Sequence, residues 1–540
     1  MVSSLSIFIL TFIKSINSSL AVSFPALSIQ CHSHIPGFPP LTSLYLPSKE
    51  THLVSQNRTH KISAFSDLSI TLDIPSSNLR FFLVRGSPFL TAAVTGDTEL
   101  SIITTKKILK FSSDNSLTKY SSCYPVSGKA VFKKKPFSLK YRWNKKGKGD
   151  LLILAHPLHI QLLTKNSDIT ILKDFKYRSV DGELVGIVGD SWVLKTDPIP
   201  VTWNSIRGIK EESYAEIISA LSKDVEALNS TAVKNTTSSY FYGKLVGRAA
   251  RLALIAEEVY FLEVIPVIKK FLKDTIEPWL DGTFSGNGFL YDRKWGGIIT
   301  KQGSNDSTAD FGFGIFNDHH YHLGYFLYGI AVLAKIDPAW GRKSFDLYKL
   351  HSWAAGLHEF ENGRNQESSS EAVNGYYSAA LMGLAYGDIN LVAIGSTLTA
   401  LEICAAQTWW HVKEETKIYE EEFSRDNRVV GILWANMRDS KLWWAPAECR
   451  ECRFSIQVLP LSPITEVVFS DVDFVQEFVK WTSPALKKKD IVEGWKGFIY
   501  ALQGLYDKES ALKKIRKLKG FDDGNSHTNL LWWIHSRGGD

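Results

Sequence analysis

The stretch from Phe311 to Lys335, FGFGIFNDHHYHLGYFLYGIAVLAK, decides how the rest of the chain is interpreted. Its glycines lead into a cluster of polar side chains: Asn317, Asp318, His319, His320 and His322. An apolar, aromatic-rich run follows, which is typical of a helix entering a core with its polar first turn at a cavity rim. On that helix Asp318 and His322, at i and i+4, share one face, and Tyr325 continues it.

A second polar cluster lies downstream and comprises Arg364, Asn365, Gln366, Glu367 and Glu371. Glu367 and Glu371 are again spaced i and i+4, so a helix starting here would present both carboxyl groups on one face. Two helix starts that each carry acidic side chains predict a site with a separate proton donor and proton acceptor.

Two such carboxyl groups suit the cleavage of a glycosidic bond. This reaction needs one acid to protonate the leaving oxygen and one carboxylate to activate water or to attack directly. Asp318 is the candidate acid, and Glu367 or Glu371 is the candidate base. Placement on two helices favours the wider carboxyl separation of inverting enzymes, roughly 6.5–9.5 Å.

Other interpretations of the same residues stay open. Asp318 can be a plain N-cap, Ser368 with Glu371 matches the S-x-x-E capping box, and the histidines can be polar packing residues. Asp318 with His322, facing Glu367 with Glu371, also resembles the carboxylate–histidine metal sites of helix bundles. Against a dimetal site, the chain lacks a Glu-x-x-His motif on each of two helices.

Composition limits the possible functions. The 540 residues are enough for two or three domains. The net charge of +6 is small and no long basic arm occurs, so we expect no nucleic-acid partner. The chain has 16 Trp and 20 Tyr, and such rings stack well on the apolar faces of sugars. A large aromatic core is the other explanation of this excess.

Tryptophans also occur in adjacent pairs, at Trp409–Trp410, Trp443–Trp444 and Trp532–Trp533. Adjacent side chains point apart in a helix or strand, so one ring of each pair can pack inward while the other faces a cleft. The alternative is that both rings of each pair are partly buried.

Cysteine usage and the N-terminal residues give weaker evidence about function and cellular location. Five cysteines make no disulfide framework, and the single C-x-x-C of Cys449 and Cys452 has no second pair to complete a zinc site. Residues 4–13 are apolar enough for a signal-peptide core or a buried strand, and too short to span a membrane. We expect no membrane span, and an extracellular or cell-wall location is favoured over the cytoplasm.

The pattern along the chain changes near residue 205. Short β-branched runs between turn residues predict an antiparallel β-sandwich over residues 1–204. We expect a small α-rich intervening or linker domain over 205–260 and an (α/α)-barrel domain over 261–540. Apolar spacing predicts helices over 210–228, 242–271, 316–336, 350–360, 370–386, 391–411, 463–482, 495–506 and 508–518.

Two long blocks, DFGFGIFNDHHYHLGYFLYGIAVLAKIDPAWG at 310–341 and HSWAAGLHEFENGRNQESSSEAVNGYY at 351–377, closely resemble glycoside hydrolase family 81. The members of this family are endo-β-1,3-glucanases, and the chain is most similar to the plant branch. The blocks are long and occur in the family's order, which makes the resemblance specific. It extends to SDLSITLDIPSSNLRFFLVRGSPFL, GDLLILAHPLHIQLL and GFDDGNSHTNLLWWIHSR.

The resemblance implies an N-terminal β-sandwich, a small intervening domain and a C-terminal (α/α)6 barrel. It implies endo-hydrolysis of callose- or laminarin-type β-1,3-glucan with inversion, no cofactor and no metal, and we expect a monomer. By motif position, Asp318 corresponds to the general acid, Glu367 to the general base and Glu371 to a second essential carboxylate. The residues at substrate-contacting positions are His322, Asn365, His320 and Tyr325.

The chain also departs from the family. Met1 corresponds to a position inside the sandwich, a stretch of β-domain is missing between Tyr120 and Ser121, and a helix with its loop is missing between Lys343 and Ser344. Two alternatives therefore stay open beside the glucanase. One is a catalytically impaired remnant that binds glucan, and the other is a metal-dependent hydrolase that uses Asp318 and His322.

Overall fold

The computed structural model describes residues 20–23, 28–31, 43–45, 61–335 and 346–537, apart from gaps at 76–78, 90, 95–100, 104–118, 133–135, 166–167, 359, 361 and 489–490. Two sequence features lie outside these residues. They are the apolar stretch 4–13 and the Lys343–Ser344 junction, where a segment of the family is expected to be missing.

The first part of the chain forms antiparallel strands, since β-branched and aromatic residues alternate there with polar ones between turns. The strands are β1 (Leu20–Ser23), β2 (Ser28–Cys31), β3 (Ser43–Tyr45), β4 (Lys61–Phe65), β5 (Ser69–Ile74), β6 (Leu79–Val84), β7 (Thr91–Val94), β8 (Ser101–Ile103), β9 (Cys123–Phe132), β10 (Ser138–Gly147), β11 (Leu152–Ala155), β12 (Thr170–Ser179), β13 (Gly182–Val188) and β14 (Ser191–Lys195). The larger sheets have the orders β4-β5-β6-β7, β14-β10-β9 and β11-β13-β12.

The alternation along β10 shows how these sheets form a core. Leu139, Tyr141 and Trp143 are buried, whereas the residues between them are more exposed. The rings of Tyr141 and Trp143 pack against Trp192 of β14, with centroids 6.2 and 4.7 Å apart. The same apolar cluster continues into Trp409 of the helical part, so the sheets and the helices share a hydrophobic interface.

The second part of the chain is helical. The helices, with one that lies among the strands, are α1 (Pro157–Leu162), α2 (Tyr214–Glu226), α3 (Ser230–Val233), α4 (Ser239–Glu258), α5 (Ile265–Leu280), α6 (Lys301–Asn305), α7 (Ala309–Gly312), α8 (His319–Lys335), α9 (Ser369–Tyr386), α10 (Ile389–Ala405), α11 (Glu421–Asp426), α12 (Arg450–Ser455), α13 (Thr465–Val468), α14 (Val472–Thr482), α15 (Glu493–Gln503), α16 (Lys508–Ile515) and α17 (His527–His535). Short strands in this part are β15 (Phe289–Asp292), β16 (Gly297–Thr300), β17 (Asn365–Gln366), β18 (Ile432–Trp434) and β19 (Arg438–Asp439).

These helices form a two-layered ring around one hydrophobic core. The inner layer runs α4, α8, α9, α12, α15, α17 and back to α4. Hydrogen bonds from Ser368 and Ser369 at the start of α9 to Ile456 and Gln457 after α12 join the third and fourth members. The outer layer has α2, α5, α10, α14 and α16 packed on the inner helices. This is the expected (α/α) barrel.

The outer layer is incomplete in the described part of the chain. Inner and outer helices alternate along the sequence, but between inner helices α8 and α9 the described residues contain no outer helix. Residues 336–368 connect them, and the part of this connection that lies outside the described residues, 336–345, includes the Lys343–Ser344 junction. The position of the expected missing helix therefore coincides with the one interval of the ring where a sixth outer helix belongs.

Most predicted helices are confirmed, with three corrections. The described residues of 350–360 form an irregular loop and not a helix, because their backbone groups bond to other elements: Ser352 N donates to Glu402 (2.8 Å) and Ala354 N donates to Asn365 O (2.8 Å). The predicted helix 242–271 breaks between α4 and α5, where Tyr260 has a φ of 56°. The predicted helix 463–482 is interrupted between α13 and α14.

The helices of residues 205–260 contribute side chains to the same core as the later helices. The division into three domains with boundaries at 204 and 260 stays a prediction. Helix α10 with the turn after it, residues 389–410, is the one helix in the described ranges that is long and apolar enough to cross a membrane. Of its most apolar stretch, 61% is buried inside the protein, as is usual for a helix of a globular core.

Candidate active site

Asp318 lies immediately before α8, at the C-terminal end of a strained loop. Its φ is +51°, and positive φ values also occur at Asp310, Phe311 and Phe316. Its carbonyl oxygen accepts the helix-starting bonds from Tyr321 N (2.9 Å) and His322 N (3.2 Å). Asp318 therefore precedes the helix, and the prediction that it shares a helical face with His322 is wrong. Strained backbone of this kind concentrates at functional sites.

The surroundings of Asp318 favour the protonated form of its carboxyl group. Burial raises the pKa of this carboxyl well above its ordinary value, and the negative charges of Glu367, Glu371 and Asp310 raise it further. A carboxylic acid that stays protonated at neutral pH is the form that a general acid requires.

Glu367 lies between strand β17 and helix α9. Ser368 is the N-cap of α9 with extended φ and ψ (−105°, 103°), so Glu367 precedes the helix. The prediction that Glu367 and Glu371 share one helical face is therefore wrong. Trp443 N donates to Glu367 Oε1 (2.9 Å), and Gln457 Nε2 donates to the Glu367 carbonyl oxygen (2.6 Å). Burial raises the pKa of Glu367 to about 7, the Trp443 bond partly offsets this, and Glu371 adds to it.

Glu371 occupies the first turn of α9 and is 2% exposed. Ser368 Oγ accepts a hydrogen bond from the backbone N–H of Glu371 (3.3 Å), so the capping motif is present. The side chain of Glu371 has further contacts. Tyr325 Oη donates to Oε1 (2.9 Å). Burial raises the pKa of Glu371, whereas Lys244, Tyr240 and Tyr325 act in the opposite direction. This carboxyl is held in place by its neighbours.

Two residues connect the segment that contains Asp318 to the segment that contains Glu367. Ala354 O accepts from Asp318 N (2.9 Å), and Ala354 N donates to Asn365 O (2.8 Å). Tyr321, on the first turn of α8, accepts at its hydroxyl from Ser368 N (3.0 Å) and Glu367 N (3.3 Å). Sequence reasoning missed Tyr321 because an aromatic residue beside a catalytic block gives no signal of its partner about 46 positions away.

We predict that Tyr321→Phe lowers kcat by about 10- to 100-fold with little change in KM, because the backbone donors before α9 lose their acceptor and Glu367 shifts. Tyr328→Phe is the matched control. Tyr328 lies on the same helix, is buried, and its hydroxyl accepts from Arg251 Nη1 (3.3 Å) away from the carboxyl groups. Steady-state kinetics and thermal unfolding of both variants check this, and equal losses in the two variants would contradict it.

The predicted substrate-contacting residues surround these carboxyl groups. Asn365 is 2% exposed, and its Nδ2 has no hydrogen-bond partner among the described residues. His320 packs on the Tyr321 ring (centroids 4.2 Å apart), and burial lowers its pKa to about 3, so it is neutral at neutral pH. His322 Nδ1 lies 2.7 Å from Ser239 Oγ. Their contacts with substrate stay a prediction.

Glu402 of α10 is a further buried acid that the sequence did not reveal. It is 0% exposed, and Ser352 N donates to Oε2 (2.8 Å). Ser352 Oγ and Gln366 Nε2 donate to Oε1 at 3.2 and 3.4 Å. Glu402 thus anchors two segments at once, the one that carries Ala354 and the one that carries Glu367. Burial raises its pKa to about 8.

The raised pKa of Glu402 predicts a pH-dependent stability. In the unfolded chain this carboxyl loses its proton near pH 4.5, but in the native state only near pH 8. The native state therefore loses stability as pH rises through this window, by a few kcal/mol at about 1.4 kcal/mol per pKa unit. Glu402→Gln cannot ionise, so between about pH 5 and 8 its melting temperature should fall less than that of the unmodified protein. A pH-independent difference between the two would contradict this.

Aromatic side chains form one rim of the site. Trp443 and Trp444 are 53% and 50% exposed. The ring of Trp443 packs on Trp434 (5.2 Å), and that of Trp444 is stacked on Trp495 (5.9 Å). The expected inward–outward division within each pair is wrong, because Trp443 and Trp444 are both half-exposed. The other two pairs, Trp409–Trp410 and Trp532–Trp533, are fully buried as core residues.

The C-x-x-C motif follows this rim directly. Cys449 and Cys452 form a disulfide, which the sequence analysis did not predict. Together with Glu451 they are the one group of three potential metal ligands found among the described residues. Because the two sulfurs are bonded to each other, neither offers a thiolate to a cation.

Comparisons with known proteins cover nearly the whole chain. The model of the glycosyl hydrolase family 81 N-terminal domain matches residues 22–122 and 102–206. That of the glycosyl hydrolase family 81 C-terminal domain matches residues 208–344 and 341–534. Each model matches in two segments, which overlap at residues 102–122 and at 341–344. The two internal junctions where the sequence predicted missing segments lie within these overlaps.

The individual proteins that match the chain are also glucan endo-1,3-beta-D-glucosidases or a glycoside hydrolase family 81 protein. A glucan endo-1,3-beta-D-glucosidase of Glycine max is 57% identical over 609 aligned residues, covering 97% of this chain and 91% of that protein. One of Thermobifida fusca is 27% identical over 402 residues, covering 68% of this chain and 50% of that protein. The fold matches a mutant of a glycoside hydrolase family 81 protein from Clostridium thermocellum, with a TM-score of 0.70, 19% identity, and coverage of 92% of this chain and 79% of that one.

Proposed function

The chain belongs to glycoside hydrolase family 81, and we propose that it hydrolyses internal β-1,3-glucosidic bonds of callose- or laminarin-type glucans with inversion of configuration. The substrate and the endo mode rest on the Glycine max relative, which is a glucan endo-1,3-beta-D-glucosidase and aligns over 97% of this chain. The stereochemistry and the residue roles rest on the arrangement of the carboxyl groups.

Asp318 is the general acid in this proposal. Its proton passes to the glycosidic oxygen as the bond from this oxygen to the anomeric carbon breaks, so the leaving sugar departs as a neutral alcohol. The raised pKa of Asp318 supports this role, because it favours the protonated carboxyl that a general acid needs before the substrate arrives. Its backbone, tied to Ala354, fixes where the proton is delivered.

Glu367 is the general base. A water molecule attacks the anomeric carbon from the face opposite to the leaving group, and Glu367 takes the proton that this water loses. Two observations favour Glu367 over Glu371. Glu367 is partly exposed and bonded to the backbone of the half-exposed Trp443, whereas Glu371 is buried and engaged by Tyr325.

Glu371 then acts through its charge. Its carboxylate raises the pKa of both Asp318 and Glu367. It thereby favours the protonated acid before the reaction and strengthens the base that accepts a proton from water. After turnover Asp318 is ionised and Glu367 is protonated, and exchange with solvent restores both.

Glucan binding is assigned to the aromatic rim and to the polar groups beside the carboxyl groups. Trp443 and Trp444 expose flat rings that suit the apolar faces of glucosyl units. The buried amide nitrogen of Asn365, which has no partner in the part of the chain that the structure describes, can donate to a sugar hydroxyl or ring oxygen. His322, His320 and Tyr325 complete the proposed substrate contacts.

The observation that carries the proposal is the convergence of three carboxyl groups whose pKa values are all raised, chiefly by burial. The charges of Glu367 and Glu371 add to the rise at Asp318, and the charge of Glu371 adds to the rise at Glu367. The test is digestion of a soluble linear β-1,3-glucan, with new reducing ends and mean chain length measured together. Endo cleavage predicts that chain length falls steeply while few reducing ends have formed. Loss of activity after exhaustive chelation, with recovery on metal addition, would instead support the metal-dependent hydrolase.

A glucan-binding remnant without turnover is the second candidate. The alignment to the Glycine max relative spans 609 positions, more than the 540 residues of this chain, so that relative has segments with no counterpart here. Cooperative unfolding and glucan binding without any release of reducing ends would favour the remnant. Turnover would exclude it.

A further inference from the structure

Asp310 is a buried carboxylate whose charge raises the pKa of Asp318, but to which the mechanism above gives no contact with the substrate. Its side chain is 1% exposed, and its backbone has a φ of 52°. It lies at the N-terminus of helix α4, where it accepts from Ser238 Oγ (2.6 Å), Ser239 N (2.7 Å) and Ser239 Oγ. His322 Nδ1 is 3.7 Å from its Oδ2.

Ser239 links this carboxylate to His322. Its hydroxyl is hydrogen-bonded on one side to Asp310 Oδ2 and on the other to His322 Nδ1 (2.7 Å). A hydroxyl has one proton to donate, whereas an ionised carboxylate has none. Although burial raises the pKa of Asp310, the contacts with His322, Ser238 and Ser239 outweigh this and lower it to about 2.

These facts fix the direction of both bonds. The proton between Ser239 and Asp310 must come from the serine, because the carboxylate can only accept. The serine oxygen is then an acceptor towards His322, so the proton of that bond must come from Nδ1. Neutral His322 therefore carries its proton on Nδ1, and Nε2 keeps its lone pair.

We propose that Asp310, acting through Ser239, is a positioning residue that holds His322 in the Nδ1–H tautomer, so that Nε2 accepts a hydrogen bond from a glucosyl hydroxyl of the substrate. This deepens the proposed function, on which the substrate contact of His322 rests. A histidine held as an acceptor at Nε2 selects a hydrogen-bond donor on the sugar, whereas an imidazole in the other tautomer would present an N–H there and could not accept from the hydroxyl.

Packing around the ring supports a fixed orientation. His322 is stacked on Phe313, with centroids 5.0 Å apart and planes at 22°, and Tyr240 lies at 5.4 Å. Asp310 and the next residue, Phe311, both have positive φ, a conformation that is strained for residues other than glycine. Backbone strain at Asp310, the residue that orients His322, is expected where many surrounding contacts together hold one geometry.

Two neighbouring serines provide a matched pair of variants. Ser239→Ala removes the link to His322 and should lower kcat/KM on β-1,3-glucan by about 10- to 100-fold. Ser239→Thr keeps the hydroxyl and should stay within about threefold of the unmodified enzyme. Ser238→Ala removes a bond to the same carboxylate and part of the α4 cap, but not the link, and should also stay within about threefold.

The tautomer itself is read without activity, by two-bond ¹H–¹⁵N spectra of the free enzyme labelled at histidine, with His322→Gln to identify the signal. We expect Nδ1–H in the unmodified protein and in Ser239→Thr, and a loss of that preference in Ser239→Ala and Asp310→Asn. An Nε2–H tautomer in the unmodified protein would overturn the proposal, as would equal losses in Ser238→Ala and Ser239→Ala. An inactive enzyme that still shows the Nδ1–H tautomer would count against the glucanase function but not against the Asp310–Ser239 arrangement.

Discussion

Asp318→Asn should lower kcat on β-1,3-glucan by about 1,000-fold, since general acid catalysis contributes roughly 10²- to 10⁴-fold and an amide has no proton to give the leaving oxygen. The change is nearly isosteric, and the backbone bonds of Asp318 to Ala354 and to the start of α8 do not depend on the carboxyl. We therefore expect the variant to fold and to bind glucan. Its melting temperature and its affinity for a non-hydrolysed oligosaccharide should match those of the unmodified protein.

The nature of the leaving group separates an acid from a structural residue. A laminari-oligosaccharide with a dinitrophenolate leaving group needs no protonation, so Asp318→Asn should recover most of its activity on this substrate. A uniform loss on both substrates would show that the residue acts through structure. Unchanged glucan hydrolysis in Asp318→Asn would exclude it as the acid.

Glu367→Ala should also lose about 10²- to 10⁴-fold in kcat, because no group remains to take the proton of the attacking water. Azide needs no deprotonation and can enter the space that the side chain leaves. We predict that added azide restores turnover and that the product is the α-glycosyl azide, the configuration that inversion of a β-bond produces. Product analysis by NMR checks the configuration directly.

Glu371→Ala is the comparison for this experiment. Glu371 is held by Tyr325 and acts through its charge, so its removal should lower activity without any recovery in azide. If azide rescued Glu371→Ala and not Glu367→Ala, the two roles would have to be exchanged. Rescue that yields the β-azide would contradict inversion.

Much of the architecture could be predicted from the sequence, because periodicity reports which face of a helix or strand is buried. The alternation of Leu139, Tyr141 and Trp143 in β10 follows this rule, as does the apolar run of α8. The segment 350–360 escaped it. Its apolar spacing resembles a helix, but bonds from Ser352 to Glu402 and from Ala354 to Asn365 hold it in a non-helical loop. Tertiary partners of this kind have no local signature.

The site was predictable to a similar degree. The two motif blocks contain Asp318, Glu367 and Glu371, and the structure brings these carboxyl groups close enough for the charges of Glu367 and Glu371 to raise the pKa of Asp318. What the sequence could not supply is the environment of the carboxyl groups. Whether an acid stays protonated depends on burial and on neighbours that lie far away in the chain.

The residues that sequence reasoning missed share one property: each acts through a partner remote in sequence. Ser239 and Asp310 are 71 positions apart, and Glu402 is 50 positions from Ser352. A serine at a helix start looks like a cap, and Ser238 is one. Nothing in the sequence distinguishes Ser239 beside it, which reaches His322. Only the fold shows which of the two serines has the second role.

The most direct test of the mechanism is the configuration of the first products released. The unmodified protein is mixed with soluble β-1,3-glucan, and proton NMR follows the anomeric signals of new reducing ends before mutarotation. Inversion with Asp318 as acid and Glu367 as base predicts that the α-anomer accumulates first and then relaxes to the equilibrium mixture. Initial accumulation of the β-anomer would contradict it, because that outcome requires a covalent intermediate on a carboxyl nucleophile.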